Sequence, residues 1–416
     1  MTLFLRLPPA PRWARWMALV SILGVLSACQ RLPHTSAPAP IPLVSKTFPV
    51  GVYGVPGVAD LQAVHAAGFS LVMGGLDPAY MDAAARLGLG VIASPGSSAG
   101  SAFDAAKVRE TVRRWDRHPA LAGWYLIDEP DLNEVPAEQV ALARDTVKSA
   151  GAQKPTALVV ARGWNLAKFH AADLLMVDFY PVGWIPVPAF FQHMRHGATA
   201  ARVGGKQFYA VIQSMDWGAY QAVEPFPPPF APRPPTEGEL RSMTWGARLL
   251  GADGVVYYPY RDGTWEMPQH PDTWKALTNV VQEIRRWEPI FAAPATSRRP
   301  PRSEMMTERR NEALEPPILW SVKTVERGNG FVKAGDYWIL VNTTERLQQL
   351  RLTDTTWSEV RLPEVCNGEE MAVDVDGWIP ALTPVRGPHL GAYSSAINPM
   401  GVRGALGSVG EFFGRV

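Results

Sequence analysis

The sequence predicts an α/β chain: a (β/α)8 barrel over residues 49–293, followed by a small all-β sandwich domain over 318–397. Three observations carry this. Eight short apolar runs alternate with segments of three-to-four-residue apolar spacing across roughly 245 residues, close to the ~250 typical of such barrels. No Gly-x-Gly-x-x-Gly loop follows the first run, which argues against a doubly wound sheet. After Phe291 the pattern changes to short alternating runs separated by turn residues, as expected of antiparallel strands.

In chain order, the strand-like runs are VGVYGV from Val50, FSLVMGG from Phe69, LGVIASPG from Leu89 and AGWYLIDEP from Ala122. TALVVARG from Thr156, LLMVDFYPVGW from Leu174, QFYAVIQSMDW from Gln207 and DGVVYYPYRDG from Asp253 complete the eight. Such runs are apolar at nearly every position, as strands covered on both faces must be. Helical spacing recurs over 102–115, 137–149, 239–250 and 274–287, and Thr236-Glu237-Gly238-Glu239 reads as a capping box. Residues 294–317, rich in Pro, Arg and Glu, read as a linker; 335–342, 348–352 and 371–375 read as strands, with turns at Asn367-Gly368 and Asp376-Gly377. The Gly-rich residues 398–416 read as a flexible tail.

The 416 residues carry 40 Lys and Arg against 39 Asp and Glu, so no global field favours nucleic acid as a partner. Two cysteines, Cys29 and Cys366, cannot make a disulfide framework. Residues 1–28 have the layout of a signal peptide: Arg6, Arg12 and Arg15 precede a short apolar core from Met17 to Leu26. That core ends in Leu26-Ser27-Ala28-Cys29, which resembles the lipobox of bacterial lipoproteins. The resemblance implies cleavage before Cys29, lipid attachment there, and a membrane partner reached through the anchor. With Gln30 rather than Asp after the cysteine, it implies the outer membrane of a Gram-negative cell envelope. Residues 29–48, rich in Pro, Ser and Ala, read as a tether.

Chemistry in such barrels sits at the strands' C-terminal ends. The most telling end is Gly123-Trp124-Tyr125-Leu126-Ile127-Asp128-Glu129-Pro130, where a buried-type run stops at two carboxylates and a proline that cannot continue a ladder. Other strand ends offer Tyr53, Arg162, Asp178, Tyr180, Gln213, Asp216, Tyr258 and Asp262. The loops after strands five to eight each carry a tryptophan, Trp164, Trp184, Trp217 and Trp265, and such amphipathic rings suit the C–H faces of sugars in a half-wet cleft. The substrate-binding set is thus Tyr53, Arg162, Trp164, Tyr180, Trp184, Gln213, Trp217, Tyr258 and Trp265. Glu129 fits a general acid, since burial and the neighbouring Asp128 charge both raise its affinity for a proton.

These features together resemble the (β/α)8 glycoside hydrolases: Asp128-Glu129-Pro130 after strand four, Asp178-Phe179-Tyr180-Pro181 after strand six, and the closing strand ending in Tyr257-Tyr258. The resemblance covers residues 49–293 and implies a carbohydrate substrate, glycosidic-bond hydrolysis and no cofactor. The large retaining clan has Asn-Glu-Pro after strand four and a nucleophilic Glu on strand seven, where this chain has Asp128 and Gln213. Three routes remain open. In the first, an N-acetylated substrate supplies its own nucleophile, oriented by Asp128, with Asp178 and Tyr180 positioning the acetamido group. In the second, Asp178, Asp216, Asp262 or Glu266 is the second carboxylate. In the third, the barrel is a non-catalytic carbohydrate-binding or envelope-assembly lipoprotein. Catalytic candidates are therefore Glu129, Asp128 and Asp178.

The eight histidines show no H-x-H or H-E-x-x-H spacing, so no metal site is expected. No Gly-x-Ser-x-Gly elbow supports an esterase, and Ser94-Pro95-Gly96 reads as a turn. The segment from Glu224 to Pro235, with seven prolines, is expected to wall one side of the cleft through Phe226 or Phe230.

Overall fold

Eight strands close on themselves. β1 (Val50–Tyr53), β2 (Leu71–Met73), β3 (Gly90–Ala93), β4 (Leu121–Ile127), β5 (Thr156–Val160), β6 (Leu174–Asp178), β7 (Gln207–Gln213) and β8 (Gly254–Tyr258) pair in sequence order, all parallel. β8 returns to β1 through Val50 opposite Val255 and Val52 opposite Tyr257, which completes a (β/α)8 barrel. The computed structural model describes residues 47–96, 103–220, 231–294, 296, 303–305, 316–343, 350–352, 361–363, 370–372 and 390–395. The signal-peptide reading of 1–28, Cys29 and most of the tether, Phe226 and Phe230, Cys366 and the tail lie outside the described residues.

Strand alternation divides the apolar side chains into two layers. Leu71, Met73, Ile92, Ala157, Val159, Leu174, Met176, Tyr209, Val211 and Val256 form one buried cluster inside the barrel. Their neighbours, such as Val72, Val91, Leu158, Val160, Leu175, Val177, Phe208 and Ala210, join the larger core beneath the helices. Both faces are covered, which is why the strands read as unbroken apolar runs.

The helices are α1 (Val58–Ala66), α2 (Pro78–Leu87), α3 (Ala105–Trp115), α4 (Ala137–Ser149), α5 (Pro188–Val203), α6 (Glu237–Leu250), α7 (Pro271–Arg286) and the short α8 (Glu288–Ala292). Asp77 and Asp104 cap α2 and α3, and the predicted capping box of Thr236 and Glu239 opens α6. One expectation is corrected: the unit after β5 holds no α-helix, only a 3-10 turn, Gly163–Ala167. That turn packs on α5 so closely that a Cβ on Gly163 would lie 2.0 Å from the His193 carbonyl oxygen.

After α8 the strands are antiparallel. β12 (Ile318–Val325), β13 (Gly335–Asn342) and β17 (Leu390–Ser395) form a three-stranded sheet. Two ladders join β11 (Ser303–Met305) to β14 (Leu350–Leu352), and β15 (Arg361–Pro363) to β16 (Glu370–Ala372). The sheet docks on the barrel at the N-terminal ends of the strands: Lys323 Nζ donates to the Ala293 carbonyl at 3.1 Å and feels the charge of Asp253, which immediately precedes β8. No helix among the described residues is long and apolar enough to cross a membrane.

Candidate active site

β4 ends by over-determining its last residues. Trp124 is buried within the strand, its indole N–H bonded to Asp116 at 2.8 Å. Glu129 then takes φ +40°, a left-handed conformation that is uncommon for a residue with a β-carbon. Such strain costs of order 1–3 kcal/mol and persists only where the surroundings enforce it. They do so here. The Glu129 carbonyl accepts from Leu132 and Asn133, and the Asn133 side chain donates to the Asp128 carbonyl at 3.2 Å. Asp131 ties the turn to the next loop by accepting from the Ala161 and Arg162 amides at 3.1 and 3.0 Å and from Asn165 Nδ2 at 2.9 Å.

Around this turn stands a ring of tyrosines. Tyr125, two residues before the end of β4, donates to Asp128, and Tyr53 from β1 donates to Tyr125 at 3.3 Å. Tyr258 from β8 packs on Tyr53 (centroids 5.6 Å) and stacks on Tyr180 (5.1 Å, 13°). Tyr180 donates to Asp178 Oδ2 at 3.4 Å. Asp262, in the hairpin of β9 (Arg261–Asp262) and β10 (Trp265–Glu266), accepts from Tyr258 and, at 3.5 Å, from Tyr220. In a closed eight-stranded barrel β8 lies diametrically opposite β4, and the charge of Asp262 acts on Asp128.

The carboxyls hold their protons unusually well. Burial first, then the charges of Asp128 and Asp131, push Glu129 up to about 7, and its bond to Asp178 offsets only part of that rise. Asp178 is raised well above the carboxylate range by burial and by Glu129, Asp128 and Asp131. Asp128 is raised by burial and by Asp262, against the lowering effect of the Tyr125 hydroxyl. Like charges at close range favour sharing a proton over double ionisation, so the Glu129–Asp178 pair titrates as a unit.

The structure sorts the other expected site residues. Tyr53, Tyr180 and Tyr258 line the mouth. Trp217 reaches its rim, with its indole N–H on the Tyr180 carbonyl at 3.1 Å, and Trp184 stands edge-on against it, 41% exposed. Trp164 is exposed on the loop after β5 and packs on His193, while Arg162 is exposed beside it. Two expectations are corrected. Gln213 is fully buried, and its amide accepts from Val182 N–H (2.8 Å) and donates to the carbonyls of Val182 (2.9 Å) and Met215 (3.2 Å). It braces the loops after β6 and β7 and has no hydrogen bond left for a sugar. Trp265 is also fully buried, stacked on His270 at 3.9 Å, because the β9–β10 hairpin folds it inward.

Of the four proposed second carboxylates, Asp216 caps the Trp217–Ala219 turn through the Gly218 amide (2.7 Å), and Glu266 is paired with Arg261 at 2.9 Å. Asp178 touches Glu129 itself. Asp262 follows the strand opposite β4, and its charge acts on Asp128. The sequence did not point to Tyr125, Tyr220 and Asp131; Tyr125 and Asp128 lie three residues apart, which strict alternation places on opposite faces, and the irregularity between Tyr125 and Ile127 is what brings them together. His193 accepts from the Gly163 amide at 3.2 Å, stacks on Phe179, and is pushed down to about 4 by burial, which leaves it neutral. Among the described residues no group of His, Cys, Asp and Glu is arranged to hold a metal ion.

No described protein family matches the chain, and no curated protein matches it. Solved structures do. A glycoside hydrolase superposes with a TM-score of 0.52 at 10% identity, over 84% of this chain and 89% of its own. A glycoside hydrolase of family 5 from Bacteroides vulgatus superposes with a TM-score of 0.53 at 10% identity, over 82% and 86%. At that identity the likeness establishes the barrel fold that this chain shares with glycoside hydrolases.

Proposed function

We propose that the chain is a glycoside hydrolase in which Glu129 is the general acid and Asp262 the second carboxylate. The observation that carries the reading is Glu129 itself: it stands at the end of β4 in a strained conformation, raised to about 7, so it keeps a transferable proton near neutrality. Glu129 gives that proton to the glycosidic oxygen as the bond to the anomeric carbon breaks. Asp262, held by the Tyr258 and Tyr220 hydroxyls, meets the oxocarbenium-like charge from the opposite side. A water then bonds through its oxygen to the anomeric carbon and gives up a proton, which restores Glu129 as the acid. Asp178 cannot act from that opposite side, because a carboxyl bonded to Glu129 lies inside the ~5–5.5 Å needed even by retaining pairs.

The same Glu129–Asp178 contact supports a second reading, in which Asp178 orients an acetamido group that attacks its own anomeric carbon. The lipobox-like Leu26-Ser27-Ala28-Cys29 supports placing the enzyme on a lipid anchor in the cell envelope; Cys29→Ser would then release it to the soluble fraction, and unchanged membrane retention would refute the anchor.

The test is an oligosaccharide panel assayed with wild type, Glu129→Gln and Asp262→Asn. Hydrolysis is expected from wild type alone, with kcat lower by about 10²–10⁴ in Glu129→Gln. Undiminished turnover in that variant refutes the acid assignment, and sugar binding without turnover by wild type refutes the hydrolase reading.

A further inference from the structure

Among the described residues the carboxyls at the barrel mouth lack counter-ions. Elsewhere around the rim acids are neutralised: Asp60 and Glu266 by Arg261 at 3.2 and 2.9 Å, and Glu239 by Arg233 at 2.6 Å. Asp128, Glu129, Asp178 and Asp262 form no ion pair with any Lys or Arg among the described residues. The charges that act on Asp128, Glu129 and Asp178 are all negative. Arg162, on the adjacent loop, acts on His193 instead.

One oxygen in this group is conspicuous. Asp178 is 8% exposed, and its Oδ1 is buried and accepts no N–H or hydroxyl hydrogen bond among the described residues, while the Glu129 carboxyl lies beside this carboxyl. A buried acceptor left unsatisfied is expensive, and in native structures it commonly marks a function. The neighbouring Glu129 carboxyl can serve it only while protonated, and loses that proton in each turnover. The carboxyls are not grouped as metal ligands, and the hydroxyls and ring faces of Tyr53, Tyr125, Tyr180 and Tyr258 enclose them. Tyrosine faces also attract organic cations.

We propose that the sugar bound at this mouth carries a primary ammonium, so that the substrate is a glycan of hexosamine units whose amines are free rather than acylated. This rests on the hydrolase reading and names its substrate class. One ammonium N–H donates to Asp178 Oδ1, and the positive charge offsets the excess of carboxylates. It also settles where the shared proton resides. Beside an ammonium, Asp178 is the carboxyl that ionises, which leaves the proton on Glu129, the group that must deliver it. An acetamido group offers one N–H and no charge, so it satisfies the oxygen but leaves the electrostatic imbalance. A uronic acid would worsen it.

The test uses the full chain carrying Glu129→Gln, which blocks turnover, and calorimetric titration with three probes of equal length: a glucosamine tetramer, its fully N-acetylated form and a neutral glucose tetramer. The glucosamine tetramer is expected to bind on the order of 30-fold tighter than either, as for hydrogen bonds to charged groups. Its affinity should fall with added salt while that of the neutral tetramer does not. Adding Asp178→Asn should bring the three affinities within a few-fold of each other, with folding checked by thermal melting. Because the whole chain has a formal charge of only +1, general attraction of a polycation does not account for such a preference. Equal or tighter binding of the N-acetylated tetramer overturns the proposal, as does a preference insensitive to salt. Cleavage of N-acetylated or neutral glycans with the amine ignored sinks this inference and leaves the hydrolase reading standing. Selective binding of the amine without cleavage by wild type does the reverse.

Discussion

Replacing Glu129 with Gln should make the protein more stable above neutrality and far less active. Glu129 holds its proton more tightly in the folded state, near 7 against an ordinary 4.5. The stability it contributes is therefore fully present below 4.5 and is lost as pH rises through about 7. At ~1.4 kcal/mol per tenfold difference in proton affinity, ionisation in place costs about 3 kcal/mol. Solvent contact at the half-open mouth reduces this to about 2 kcal/mol. Gln keeps the shape and the strained φ but carries no charge, so the variant should gain about 2 kcal/mol over wild type at about pH 8 and little at about pH 5. For a barrel of this size that corresponds to roughly 4 °C in Tm. Urea unfolding of both proteins at the two pH values measures the difference directly. If the variant's offset is the same at both, Glu129 ionises like an exposed carboxylate, and the physical basis for its role as acid is gone.

Three further predictions probe the frame. Gln213→Leu strands the Val182 amide and the carbonyls of Val182 and Met215, and should destabilise by about 3 kcal/mol without changing KM in the folded fraction; a KM increase at unaltered stability would return Gln213 to the sugar site. Gly54→Ala should lower kcat on the order of 10²-fold, since its Cβ would lie 2.0 Å from the Arg261 carbonyl oxygen at φ +69° and displace the hairpin that carries Asp262; normal kcat in a folded variant would count against Asp262. Trp184→Ala should raise KM several-fold with Tm unchanged, whereas Trp265→Ala should cost about 3–5 kcal/mol of stability, and the reverse assignment would overturn the sorting of the tryptophans.

The barrel was legible because strands covered on both faces must be apolar throughout, and the runs from Val50, Ala122, Thr156 and Leu174 are. The β4 terminus was legible for the complementary reason: Pro130 forbids further pairing, so the two carboxylates before it had to be presented. The missing fifth helix was not, because apolar residues between Arg162 and Asp173 serve a 3-10 turn as well as a helix, and the choice is made by packing on α5. Gln213 was misread because a polar residue at a strand end has the same signature whether it faces a cleft or braces two loops. What decides is Val182, 31 residues earlier, folding back to take both ends of the amide.

Cation binding and acid catalysis make opposite demands on a carboxyl, and this bears on whether the barrel turns over substrate or only holds it. A site that merely retained an ammonium would be best served by carboxylates kept ionised, each paired through hydrogen bonds that lower its proton affinity. Glu129 is driven the other way, by burial and by two neighbouring acids, in a backbone conformation that itself works against stability. Asp178 can supply the negative charge a cation needs, and the Tyr125 hydroxyl holds Asp128 nearby against the repulsion of Asp262. Keeping one of the carboxyls protonated adds nothing to retention. It is what the proposed proton delivery requires, and the brace from Asp131 to the β5 loop holds that turn in place.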